Sequence, residues 1–477
     1  MPHATRPSRF FGSPRASGTA AVLGVCVSAT NAWAQQPAWL REFGGSSDDW
    51  AGALLKTGRD GAIVAGGTLG SLFSPSLGSE DAFLAWFDEG GNLIAGVQFG
   101  TNSTDSAIAL APAAAAGVFV AGATQGSFGA PNAGGWDAWV AQCDGVGNRL
   151  WVRQLGSGQS DQVYALAEDA SGGVFVTGYT HGDLAGQIGA VDAWVARYDG
   201  SVARHWLIQF GTTNIDLSVG ACPDGYGGCF IGGTTVGALF GAQVGDADAW
   251  IARFDSRGQL LWGRQFGTPQ LDTGRALSAD GLGGAFIAGS TQGMMAGSVF
   301  GGAWLARYDT MGTQLSIMQF GGGPAGSVEA VAADGLGGAF LAGTTTGSLG
   351  GPNAGGNDVW VARILGGTGV AWIDQFGSSA YEEPFALALA GPGSVFAAGY
   401  TQGNLAPGGG GFNDAWLARY DTCYPDCTGD GAQTVADFGC FQGKYVLGDP
   451  YADCNGSGAL TIADFGCFQG KYVLGCP

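Results

Sequence analysis

The chain has 477 residues, of which 46% are hydrophobic and only 12% charged, and it carries a net charge of −20. Such a balance excludes a disordered acidic chain, which has too little core material, and argues against a nucleic-acid partner, which requires a basic surface. Its 91 glycines fall every few residues, and each costs about 1 kcal/mol relative to alanine inside a helix, so long helices are excluded over most of the length. At the N-terminus, Arg6, Arg9 and Arg15 precede a short apolar run over 20–27, and Ala32-Trp33-Ala34 before Gln35 fits small-x-small cleavage. Residues 1–34 therefore read as a secretory signal peptide. Losing its three arginines takes the net charge from −20 to −23. Cys26 invites a lipoprotein reading, but Val25 stands where a small residue is required. No later run reaches the roughly 18 apolar residues that span a bilayer. The mature chain is expected to be secreted, or held at the cell surface by something other than a transmembrane helix.

Residues 35–421 are one unit copied. An apolar-Gly step recurs at Phe43-Gly44, Phe99-Gly100, Leu155-Gly156, Phe210-Gly211, Phe266-Gly267, Phe320-Gly321 and Phe376-Gly377, with a spacing of about 55 residues. A second phrase keeps the same beat, as Asp81-Ala82-Phe83, Asp137-Ala138-Trp139, Asp192-Ala193-Trp194, Asp248-Ala249-Trp250, Gly302-Ala303-Trp304, Asp358-Val359-Trp360 and Asp414-Ala415-Trp416. Each unit holds four strand-like phrases, separated by turns such as Asp224-Gly225-Tyr226-Gly227-Gly228 whose glycines supply positive φ. The phrase around Trp194 is apolar on both faces, so both faces are buried. Four-stranded sheets buried on both faces and repeated seven times predict a seven-bladed β-propeller, which closes on itself. A solenoid would need polar end caps, and the sequence offers none.

The motif Trp-x-x-Gln-Phe-Gly, Gly-Gly-x-Phe-x-x-Gly, Asp-Ala-Trp-x-Ala-Arg-Tyr-Asp resembles the seven-bladed β-propeller repeats of bacterial surface and secreted proteins, a family that implies no single activity. Arg197, Arg253, Arg307, Arg363 and Arg419 end the third of these phrases in five copies, while Trp86 and Gln142 replace them in the first two. These are expected to be turn and inter-blade hydrogen-bonding groups. A carboxylate follows six residues after each apolar-Gly aromatic or leucine, at Asp49, Asp105, Asp161, Asp216, Asp272 and Glu382, with Gly326 in the sixth copy. Two readings stand for them: solvated turn residues, or a cation-binding rim with an opening at Gly326. Cys222 and Cys229 flank a turn and are candidates for a cross-strand disulfide. Cys143 reads as a buried free thiol.

Beyond residue 422 the composition changes, and six of the ten cysteines fall in 422–477. Segments 434–448 and 461–475 differ only at Val435 against Ile462. Each is preceded by a loop in calcium register. Asp426, Thr428, Asp430, Ala432, Thr434 and Asp437 make the first set, and Asp453, Asn455, Ser457, Ala459, Thr461 and Asp464 the second. Ser457 removes one carboxylate, so the second Ca²⁺ site is expected to be the weaker. The alternative is a pair of Asx-type turns held by disulfides alone. Cys427 and Cys440, like Cys454 and Cys467, are thirteen apart, suggesting one bridge per repeat, with Cys423 and Cys476 closing the ends. That pairing is one of about 15. Zinc is opposed by export and by the absence of nearby histidine.

Two such loop-helix units resemble a cysteine-containing dockerin module. The resemblance implies docking to a surface or envelope protein of cohesin-like role, through Val435, Ala436, Ile462 and Ala463 and the helix residues Lys444 and Lys471. The sequence thus predicts a mainly β chain: a seven-bladed propeller of unknown ligand followed by a small disulfide-rich calcium-loop and helix domain. We expect an exported, non-catalytic binding or scaffold surface attached through a calcium-dependent module. The alternative is a secreted polysaccharide-active enzyme. No catalytic residue is identified: His181 and His205 lie in ordinary strand or loop contexts, and Asp48-Asp49 belongs to a repeated turn.

Overall fold

The computed structural model describes residues 36–58, 61–113, 117–201, 203–296, 301–321, 326–366, 369–391, 393–421, 427, 434–447, 452, 454 and 460–474, apart from the side chains of 471, 473 and 474. Its strands form seven antiparallel sheets of four. In the first, Asp49–Lys56 is the inner strand, followed outward by Ala62–Thr68, Asp81–Phe87 and Leu93–Phe99. The seven inner strands touch in series, and the last, Glu382–Gly391, returns to the first. The chain is a closed seven-bladed β-propeller, and these strands surround its axis.

The repeated sequence unit is one strand out of phase with the blade. Its opening phrase forms the outer strand of the preceding sheet, so the first copy has no sheet of its own to complete. Trp39–Phe43 instead pairs with Asp414–Tyr420, Trp39 opposite Arg419 and Phe43 opposite Ala415, and closes the seventh blade. The third strands carry the largest core side chains. Asp192–Tyr198 is buried at every position but Arg197, and Trp139, Trp194, Trp250, Trp304, Trp360 and Trp416 are all at most 1% exposed. Their two apolar faces pack against the flanking blades, as both-face burial requires.

Turn chemistry links the blades. Asp224 Oδ1 accepts from the amides of Tyr226 and Gly228 across a turn in which Gly225 and Gly227 have φ of 75° and 88°. Asp224 Oδ2 receives the Arg253 guanidinium at 2.8 Å, and Arg253 Nη1 donates to Thr310 O of the next blade, which also accepts from Trp262 Nε1. Arg197, Arg307 and Arg363 make the same clamp on Asp169, Asp280 and Asp334. Burial works against ionisation of Asp169, but its bonds from Ser171 and Arg197 hold the carboxyl below the usual range.

The Cys222–Cys229 bridge considered from sequence does not form, and both are free thiols. Register is the reason. Cys222 lies opposite Phe230 while Cys229 lies opposite Pro223, so the two side chains occupy opposite faces of one hairpin. Cys222 joins the core toward the fifth blade and Cys229 the core toward the third. Cys143 is also a buried free thiol, its ionisation pushed up to about 12 by burial.

In the C-terminal region, Val435–Leu447 (α1) and Ile462–Leu474 (α2) run without a break through Gly439 and Gly443 and their copies. They pack through Phe441 and Phe468, stacked at 4.1 Å, with Phe465 edge-on to Phe441. Disulfides Cys427–Cys440 and Cys454–Cys467 tie each helix to the segment before it.

Candidate functional site

Every inner strand carries a β-bulge at the same place. A bulge adds one residue and re-aims its side chain. Here the added residues are Gly52, Ile108, Tyr164, Val219, Arg275, Glu329 and Phe385, and all seven line the axial channel, a cavity of about 140 Å³. The flanking positions are small or aliphatic in most blades, whereas this one ranges from glycine to arginine.

Where the inner strands start, the channel opens into a second cavity of about 200 Å³. It spans blades three to six. Tyr164 and Tyr179 (ring centroids 5.5 Å apart), Leu217, Val219 and Leu271 form its apolar wall, and Thr273, Ser290 and Gln292 form a polar one. Burial, with Tyr164 alongside, pushes the Tyr179 phenol far above its ordinary value. Arg275 lines both this mouth and the channel, and its Nε is buried with no hydrogen-bond partner. At the same end, blades seven and one carry two buried carboxylates that are already engaged. Glu383 accepts from the Tyr381 and Tyr400 hydroxyls, and Glu80 from Trp50 Nε1 at 2.8 Å.

The carboxylates at the inner-strand starts do not face solvent. Asp49, Asp105, Asp161, Asp216, Asp272 and Glu382 are fully buried. Each accepts from the backbone amide four residues earlier, and Asp105, Asp161, Asp216 and Glu382 also accept from a threonine ending the second strand. They are turn-fixing groups, buried rather than solvated. Across the apolar-Gly step each lies beside the third-strand carboxylate of the blade before it. A Cβ on Gly100, for instance, would stand 2.6 Å from Asp81 and 2.9 Å from Asp105. Burial raises Asp49 to about 6, with Thr68 and Gly45 opposing and Asp414 and Asp48 assisting, and burial raises Asp161 and Asp272 as well.

The junction of blades five and six lacks both partners, with Gly302 and Gly326 in their places. Backbone fills the space: a Cβ at Gly302 would meet Gly321 O at 1.8 Å, and one at Gly326 would meet Thr344 O at 1.2 Å. Gly326 therefore marks no opening.

An outer-strand glutamine completes each of the first six blades. Gln265 Nε2 donates to Asp248 at 2.7 Å while its Oε1 accepts from Leu239 and Phe240 amides, and Gln98, Gln154, Gln209 and Gln375 repeat the pattern. In the closing blade Glu42 takes this place, accepting from Leu405 and Ala406 amides.

Of the residues assigned to calcium loops, Asp426, Thr428, Asp430, Ala432, Asp453, Asn455, Ser457 and Ala459 lie outside the described residues, as do Cys423 and Cys476. Thr434 and Thr461 cap α1 and α2. Asp437 and Asp464, fully buried, accept from the Thr434 and Thr461 amides at 2.7 Å. This is a capping-box arrangement with aspartate at the third helical position. Among the described residues no group of three or more His, Cys, Asp or Glu side chains is placed to hold a metal. Val435 and Ile462 are 84% and 87% exposed, Ala436 and Ala463 are exposed, and Lys444 is partly buried. Among the described residues no helix is long and apolar enough to cross a membrane.

The sequence reading missed the bulged positions, although a signal was present. Three residues after each inner-strand carboxylate, or after Gly326, all seven copies carry a different residue.

Comparison with known proteins agrees with the repeat. The SBBP β-propeller repeat model matches residues 150–185 and 261–293. No curated protein sequence matches the chain. Among solved structures, the Neurospora crassa Pan2 WD40 domain shares 9% identity at a TM-score of 0.44, over 79% of this chain and 97% of that one. YCF48 bound to a D1 peptide gives 11% and 0.43, over 83% and 99%. A Dyadobacter fermentans protein of unknown function gives 10% and 0.42, over 80% and 99%.

Proposed function

We propose that this chain is an exported, non-catalytic propeller that presents a binding surface at the mouth of its axial channel. Its C-terminal module attaches it to a surface protein of cohesin-like role through calcium. The carrying observation is the division of labour among the repeats. Groups that build the ring recur from blade to blade, while side chains differing in charge and size gather at the axis and its mouth. A ring that needs only closure gains nothing from placing an arginine, a glutamate and a tyrosine there. The polysaccharide-active alternative requires a pair of carboxyl groups available to move protons, and the buried carboxylates Glu80 and Glu383, which lie at the same end of the ring but do not line the cavity, are committed to Trp50, Tyr381 and Tyr400.

Support for attachment comes from the loop spacing before each helix and from the caps. Asp437 and Asp464, twelfth in their loops, sit at the helix starts where a loop-closing carboxylate belongs. The exposed Val435 and Ile462 give both copies the same apolar projection. The test is capture from an envelope fraction with the full mature chain as bait, in calcium and in chelator. A protein retained only in calcium, and lost when Asp426 and Asp430 are both changed to Ala, supports attachment. Retention indifferent to calcium removes it.

A further inference from the structure

The seven inner strands form an internal comparison, because one position serves the same geometric role in every blade. Gly52 and Ile108 occupy the bulge without charge, so the strand has no need of an arginine there. Arg275 is nonetheless present, and among the described residues it is the sole charged side chain lining the mouth cavity. Its Nε is buried and unpartnered. A guanidinium donor withdrawn from water without a partner is costly, and its planar fork matches a carboxylate. We propose that the mouth cavity binds a carboxylate-bearing ligand of single-ring size, with Arg275 as the anchor of the carboxylate. This rests on reading the propeller as a binding surface, and it names the class of ligand.

The walls fit such a ligand. Leu217, Val219 and Leu271, with Tyr164, offer an apolar face to a ring. The opposite hydroxyls are largely spoken for: Ser290 Oγ accepts from Val328 N at 3.0 Å, and Thr273 Oγ1 donates to Ser290 O. They shape the site, and Arg275 supplies the charge. The net charge of −20 repels anions at a distance, but that field is screened beyond about 10 Å in 0.1 M salt.

Glu329 adds selectivity. It holds the equivalent bulge in the next blade, lines the channel but not the mouth, and makes no ion pair with Arg275. A second carboxylate directed into the channel would meet this like charge. The cavity is therefore expected to prefer monocarboxylates over dicarboxylates. A free small acid and the terminal uronate of a polysaccharide present the same group.

Titration calorimetry on the full mature chain tests this, with benzoate and glucuronate as free acids, an otherwise neutral oligosaccharide ending in a single glucuronate as the polymer end, glucarate as a dicarboxylate and glucose as the neutral control. At least one monocarboxylate is expected to bind and glucose not to. Arg275→Gln should weaken that binding at least about tenfold, and Glu329→Gln should narrow the gap to glucarate. Binding of the uronate-ended oligosaccharide but of neither free acid identifies the polymer end as the source. Should Arg275→Gln fail to fold, Arg275→Lys, which keeps the charge and loses the fork, carries the comparison. The proposal is overturned if no acid binds, or if the Arg275 variants bind as the wild type does. If neutral oligosaccharides bind in place of the acids, the binding role survives and only the carboxylate assignment falls.

Discussion

The propeller distributes its stability over buried indoles and a clamp repeated in four blades, whereas the C-terminal module ties two 13-residue helices with two disulfides and a small aromatic stack. Size explains the difference. A ring of seven sheets buries each third strand on both faces, while a domain of some fifty residues buries too little surface to hold itself without cross-links. Damage should accordingly stay within one blade or its neighbours in the ring, and should spread through the whole of the module.

The largest expected effect tests the ring. Trp304→Ala removes a fully buried indole between two blades and should cost about 3–5 kcal/mol, read from the denaturant midpoint of the propeller transition. An effect below about 1 kcal/mol would mean that blade contacts contribute less than their burial implies. Next comes Cys440→Ser, which opens one cross-link and should cost the module about 3 kcal/mol. The helical signal should melt earlier while the propeller transition stays in place; movement of both would show that the two regions are not independent.

Asp49 gives a pH-dependent contrast of at most about 3 kcal/mol. Its carboxyl is raised from 3.8 to about 6 in the folded ring, chiefly by burial. The folded state thus holds the proton more tightly than the unfolded one. The penalty is fully present above about 6 and disappears as the pH falls toward 3.8. Asp49→Asn should gain stability relative to the wild type at pH 8 and lose that advantage at pH 4, by melting temperatures at both. The smallest effect, about 1 kcal/mol, is expected for Thr434→Ala, which removes the Oγ1 acceptor for the Ala436 amide at the start of α1. Helical circular dichroism is the readout.

Much of this architecture was legible in the residues. The Asp-Ala-Trp phrase announced strands buried on both faces, and the Asp-Gly-x-Gly-Gly turns announced hairpins. The recurrence of the arginine announced a turn and inter-blade hydrogen-bonding group, but its partners Asp169, Asp224, Asp280 and Asp334 emerged only from the structure. Other features were hidden by parity. Cys222 and Cys229 flank a turn symmetrically, yet a one-residue offset in pairing puts them on opposite faces. The bulge at Tyr164, Arg275 and Glu329 breaks the two-residue alternation on which strand reading depends, so these residues were not recognised as facing the axis.

The sequence alone determined the number of units, the apolar faces of their strands and the cysteine spacing of the terminal module, because periodicity and turn chemistry are local. Only the tertiary structure decided which strand lies at the axis, how the ring closes and which side chains reach the channel. Closure depends on Trp39–Phe43 pairing with the last strand, and Glu42 bonds to Leu405 across 363 residues. Contacts at that separation leave no trace in a local pattern, since they are selected by the packing of the whole ring.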